Sequence, residues 1–67
     1  MQVLLSEKSV PCGKLMTYQS RDGHYVVRLR ILSGNVVMGD PELDHFYSRS
    51  LAEDYVEYIA KLMGDKS

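Results

Sequence analysis

The sequence predicts a small α+β domain: a three-stranded antiparallel β-meander packed on one C-terminal helix, in the order β-β-β-α. Three observations predict it. Residues 24–32 place apolar side chains at every second position. Turn pairs, Asp22-Gly23 and Ser33-Gly34, stand on both sides of that run. Residues 50–63 carry apolar side chains at helical spacing.

Taken in order, Met1–Leu5 is a candidate for one further short strand, which would make the sheet four-stranded. Ser9–Gly13, with Pro11 and Gly13, reads as a loop. Lys14–Ser20 reads as a strand, and Arg21-Asp22-Gly23 as a tight turn, because Asp and Gly both tolerate positive φ. In the next strand Tyr25, Val27, Leu29 and Ile31 share the inward face. His24, Arg28 and Arg30 share the other face with Val26 and Leu32, so that face is not purely polar. Asn35–Met38 returns as the third strand, which puts the sheet at about residues 14–38. Pro41 keeps Asp40 out of helical geometry, so Gly39-Asp40-Pro41-Glu42 reads as a turn. Alternatively, Asp40 caps a single helical turn with Pro41 in its first position. Leu43–Tyr47 either continues the sheet or leads into the helix.

For the helix at 50–63, Ser50 followed by Glu53 has capping-box spacing. Leu51, Ala52, Tyr55, Val56, Ile59, Leu62 and Met63 fall within an arc of about 140°, opposite Glu53, Asp54, Glu57 and Lys61. Gly64 is placed for a left-handed C-terminal cap. The expected sheet–helix core is Tyr25, Val27, Leu29, Ile31, Val56 and Ile59, with Met16, Met38 and Met63 as gap fillers. Tyr58 lies at the edge of the arc, beside Asp54 and Lys61. Like Tyr47, it joins a large apolar body to a polar tip, a combination favoured in interfaces.

Asp22-Gly23, Tyr25, Phe46 and Ala52-Glu53 also stand in an order that resembles the arm-type DNA-binding domains of phage tyrosine integrases. The resemblance spans roughly residues 15–63. It implies a three-stranded meander ending in a helix, and a role on DNA. Those domains are distinctly basic, whereas this chain has a net charge of −1.

Composition bounds the function. The 67 residues fit one domain over 1–67. A domain of this size buries only roughly 60% of the surface its unfolded chain exposes, so its core must recruit nearly every apolar side chain. Little room is left for an enclosed substrate pocket, and an enzyme is not expected. The apolar content of 45% with a net charge of −1 excludes disorder by composition. No apolar run approaches the roughly 20 residues needed to cross a bilayer. The segment MQVLLSEKS lacks the basic leader and the cleavage site of a signal peptide. Cys12 is the single cysteine, which excludes an internal disulfide and makes a reducing cytoplasm the expected setting.

Charge is unevenly spread. Residues 1–39 hold Lys8, Lys14, Arg21, Arg28 and Arg30 against Glu7 and Asp22. Residues 40–67 hold Arg49, Lys61 and Lys66 against Asp40, Glu42, Asp44, Glu53, Asp54, Glu57 and Asp65. The expected function is therefore non-enzymatic binding of another protein with a basic surface. Asp40, Glu42, Asp44, Glu53, Asp54, Glu57 and Tyr58 are its contact set. An inhibitor that a phage or mobile element directs at a host protein, of the anti-defence or anti-CRISPR kind, fits that size and character. The alternative is nucleic-acid binding by Lys14, Arg21, Arg28 and Arg30, with Tyr18 or His24 for stacking. Against it stands a pI of about 6.0, where nucleic-acid-binding domains usually exceed about 9. A third expectation is a homodimer through an open sheet edge or the Val26/Leu32 face. Cys12 with His24 or His45 matches no nucleophile signature, and Asp40, Asp44 and His45 match no metal-ligand spacing. No cofactor, metal or membrane is expected.

Overall fold

Tight turns and one proline set the path of the chain. The computed structural model describes residues 2–64, so Met1 of the expected N-terminal strand lies outside the described residues. Five strands, β1 (Val3–Val10), β2 (Gly13–Gln19), β3 (Tyr25–Ser33), β4 (Val36–Gly39) and β5 (Glu42–Phe46), precede the helix α1 (Arg49–Leu62). All pairings are antiparallel, and the fold is the expected α+β class. Its sheet is wider than the three strands implied by the integrase resemblance.

The turn between β2 and β3 closes with the Ser20 N–H donating to the His24 carbonyl at 2.9 Å, and Gly23 takes φ +86°. Gly34 takes φ +61° in the turn between β3 and β4. Both are values a side chain resists and glycine does not.

β3 is the centre of the sheet. β2 lies along one edge in unbroken register, from Gly13↔Ile31 to Gln19↔Tyr25. The other edge is shared end to end: β5 pairs with Tyr25–Arg28 and β4 with Ile31–Ser33. Between them the Leu29 N–H donates to the Pro41 carbonyl at 3.0 Å. β4 and β5 thus run as one strand interrupted at Asp40-Pro41. Pro41 has no N–H to donate, and the break is confined to where that donor is missing. The expected turn at 39–42 is corrected to this break. Asp40 caps no helical turn, and Leu43 continues the sheet.

Two further corrections concern the N-terminal half. The extra strand does not stop at Leu5 but runs to Val10, so the expected loop at Ser9–Gly13 shrinks to Pro11 and Cys12. An edge strand exposed along much of its length accepts Glu7 and Lys8, whose polarity masked it. Gly13 opens β2 because a Cβ there would collide with the Arg30 carbonyl oxygen.

The core is Leu15 and Val27 from the sheet against Ala52, Val56 and Ala60 from α1. Tyr25, Leu29, Leu43, Phe46, Tyr55, Ile59 and Val10 pack around it. Ala52, Val56 and Ala60 are four residues apart, so the helix lies on the sheet along a narrow stripe of small side chains. Ile31 is half-buried outside that cluster. Met16 and Val26, on the opposite sheet face, are buried as well. In register, Met16 lies between Glu7 and Arg28, and Val26 between Tyr18 and His45. Met38 is exposed and fills no core gap.

The helix begins one residue before the expected position, and its cap differs. Ser48 occupies the N-cap without a side-chain hydrogen bond. Ser50 and Glu53 therefore form no capping box, and Glu53 accepts from the Arg49 Nε at 3.1 Å instead. At the other end Gly64 takes φ +88° and its N–H donates to the Lys61 carbonyl, the left-handed cap that the sequence predicts. Leu51 and Leu62 leave the expected apolar arc and face outward.

Candidate interaction surface

Alternation along β3 sends Arg28 and Arg30 to the face away from α1, as the spacing predicts. The strand break brings Asp40 and Glu42 to the same face. The Arg28 Nη2 donates to the Asp40 carbonyl at 2.6 Å, and its Nε lies 3.4 Å from the Asp40 carboxylate. Arg28 also lies 3.9 Å from Glu42, and Arg30 lies 3.6 Å from Asp40. Lys14 donates to Glu7 at 3.1 Å. The positive strand and the acidic connector, separate in the sequence, neutralise each other here. Arg21 stands apart, exposed in the β2–β3 turn.

The seven residues expected to form one contact set are divided. Asp40 and Glu42 belong to the outer sheet face. Asp44 opposes Val27 on β5, and its charge acts on the Tyr55 phenol. Burial and, secondarily, the Asp44 carboxylate both disfavour the phenolate, raising the Tyr55 pKa above its ordinary value. Glu53 and Glu57 line one flank of α1. That flank lies above β1, since Glu57 lies 3.7 Å from the Lys8 ammonium. Ser6, Glu7, Lys8, Thr17, Glu53, Val56 and Glu57 line an open groove of about 320 Å³ there. The other flank lies over β5, where the Tyr55 and Phe46 rings are 5.2 Å apart. Asp54 and Tyr58 turn outward on the solvent side.

The groups that chemistry would need are not together. Cys12 is exposed in the turn before β2, beside Leu32 at the end of β3. His24 precedes β3, and His45 pairs with Val26 near its start. Eight strand residues, about 26 Å, separate that end from Leu32. His24, His45 and Tyr47 instead form an aromatic group, with the His24 and Tyr47 centroids 4.6 Å apart, edge to face. Among the described residues no grouping of His, Cys, Asp and Glu has metal-site geometry, and no helix is long and apolar enough to cross a membrane.

What sequence reasoning missed is an apolar stripe on α1. Leu51, Tyr58 and Leu62 are 56%, 60% and 66% exposed. At 100° per residue they fall within about 40° of one another, with half-buried Tyr55 beside them. The signal was present in the width of the apolar arc. An arc of about 140° is more than one flat sheet face covers, so one margin of it must face solvent.

The chain matches no family model, no curated protein and no solved structure.

Proposed function

We propose that this protein acts without catalysis, by binding another protein through the outward side of α1. The observation that supports this reading is the row of three large apolar side chains, Leu51, Tyr58 and Leu62, exposed on a single helix face. Scattered exposed apolar residues are ordinary in small domains, but a contiguous row with a polar margin marks an interaction site. Tyr58 within that row and Asp54 at its border both come from the acidic contact set. Glu53 and Glu57 extend the surface on the far flank and suit a partner with basic character. Their own ion pairs, to exposed Arg49 and half-buried Lys8, keep both carboxylates in solvent and cost little to exchange.

Occupancy without chemistry is how an inhibitor works. The setting we favour is cytoplasmic, with a phage or mobile-element protein blocking a host protein of the defence type, CRISPR effectors included. The nucleic-acid alternative is weakened by the pairing of Arg28 and Arg30 with Asp40 and Glu42.

The test compares wild type with Leu51→Ser/Leu62→Ser. Both positions are exposed, so the melting temperature should be unchanged. Proteins captured on the immobilised wild-type chain, identified by mass spectrometry, should be absent from the variant. Capture that persists unchanged would overturn the assignment of this surface.

A further inference from the structure

We propose that the stripe Leu51, Tyr55, Tyr58 and Leu62 pairs with the same stripe of a second copy of this chain, the two α1 helices lying antiparallel about a two-fold axis. The inference rests on α1 being a protein-binding helix, and it adds a second copy of this chain as a weak partner of the same stripe, displaced when a foreign protein binds there.

The first support is spacing. Steps of four, three and four residues are those of a coiled-coil seam, which faces another helix along its whole length. The second is symmetry. Leu-Tyr-Tyr-Leu at that spacing reads identically in both directions. A two-fold axis between Val56 and Glu57 sets Leu51 against the partner's Leu62, and Tyr55 against the partner's Tyr58. Such self-complementarity is what an isologous interface requires, and the tyrosine rings meet at the centre, where offset or edge-on aromatic pairs are favourable.

Charge supplies the third support. On one side of the seam stand Ala52 and Ile59, which pack into the chain's own core. On the open side stand Asp54 and Lys61, neither holding an ion pair with a described residue. Antiparallel pairing joins the two open sides and brings Asp54 to the partner's Lys61 twice over. Parallel two-fold pairing would turn Asp54 and Lys61 toward the partner's Ala52 and Ile59 side, where no opposite charge meets them. Charge therefore selects the antiparallel arrangement. Glu53 and Glu57 lie on the far flank of α1, outside the seam.

The seam is about 17 Å long and falls below the size of a stable interface, roughly 1,200 Å² in total. The dimer is therefore weak, with a dissociation constant on the order of 0.1 mM.

Sedimentation equilibrium between about 10 μM and about 1 mM should show monomer and dimer. Asp54→Lys and Lys61→Asp should each weaken association roughly tenfold, and the two together should restore it, because the complementary pair is re-formed with its signs exchanged. In a Cys12→Ser background, a mixture of Leu51→Cys and Leu62→Cys chains should oxidise mainly to the mixed disulfide. A wild type that stays monomeric at about 1 mM overturns the proposal, as does a double charge exchange that fails to restore pairing. A dimer indifferent to both charge changes also overturns it and points to the sheet edge. None of these failures touches the broader reading of α1, which is judged by whether Leu51→Ser/Leu62→Ser still captures foreign proteins.

Discussion

Arg28 and Asp40 meet twice across the break between β4 and β5, once through the Asp40 carbonyl at 2.6 Å and once through its carboxylate at 3.4 Å. Next to Pro41 the strand ladder is interrupted, and the guanidinium supplies the donor for that carbonyl. Arg28→Met keeps most of the apolar stem and removes the donor. The variant should lose about 1–2 kcal/mol in urea denaturation, at the lower end for charged hydrogen bonds because the pair is partly exposed. The Leu29 amide, which donates to Pro41 beside the break, should exchange faster. An unaltered midpoint and exchange rate would mean that the backbone holds the break by itself.

Gly13 should tolerate no side chain. A Cβ there meets the Arg30 carbonyl oxygen, and relieving that collision must part β2 from β3 locally. Gly13→Ala should cost about 2 kcal/mol or more, read as a lowered thermal midpoint. Gly23→Ala meets no atom within 4 Å and should suffer only the strain of its positive φ, about 1 kcal/mol.

Leu15 and Leu62 separate core from surface in one comparison. Leu15 is 1% exposed at the centre of the core, and Leu15→Ala should lose about 2–5 kcal/mol. Leu62→Ala should stay within about 0.5 kcal/mol, with Ile59→Ala between the two because Ile59 is half-buried. If Leu62→Ala melts as low as Leu15→Ala, the outward placement of that stripe is wrong.

Nucleic acid should bind weakly or not at all. Phosphate contacts by Arg28 and Arg30 would have to displace Asp40 and Glu42, and any binding should disappear with modest salt. Tight duplex or single-strand binding in a gel shift at physiological salt, abolished by Arg28→Ala/Arg30→Ala, would contradict the protein-binding reading.

Alkaline pH should act through Tyr55. Its folded pKa lies above the ordinary value of 10.0 because burial and Asp44 disfavour the phenolate. The phenol's contribution is complete below pH 10.0 and is lost as pH rises through the folded pKa. Thermal melts of wild type should fall across that window, and those of Tyr55→Phe should fall less. Equal decline in both proteins would remove Tyr55 as the cause.

Local chemistry alone determined the hairpin turn at Asp22-Gly23, the period-two strand around Val27 and the left-handed cap at Gly64. Each follows from backbone preference and short-range alternation, which neighbouring residues carry in full. Tertiary structure decided the rest. Whether Leu43 joined the sheet depended on the free edge of β3, where its neighbours Glu42 and Asp44 pair with Arg28 and Val27, partners 14 and 17 residues away that no local pattern reports. Ser50 and Glu53 have the spacing of a cap, but Phe46 and Tyr47 bring the chain off β5 so that Ser48 becomes the N-cap. The same holds for the interaction surface. Leu51 and Leu62 are apolar at helical spacing, as core residues would be, and only the width of the sheet beneath α1 decides which part of a broad apolar arc is covered. Arg28 and Asp40 are ions of opposite sign 12 residues apart, and the break at Pro41 alone brings them into contact.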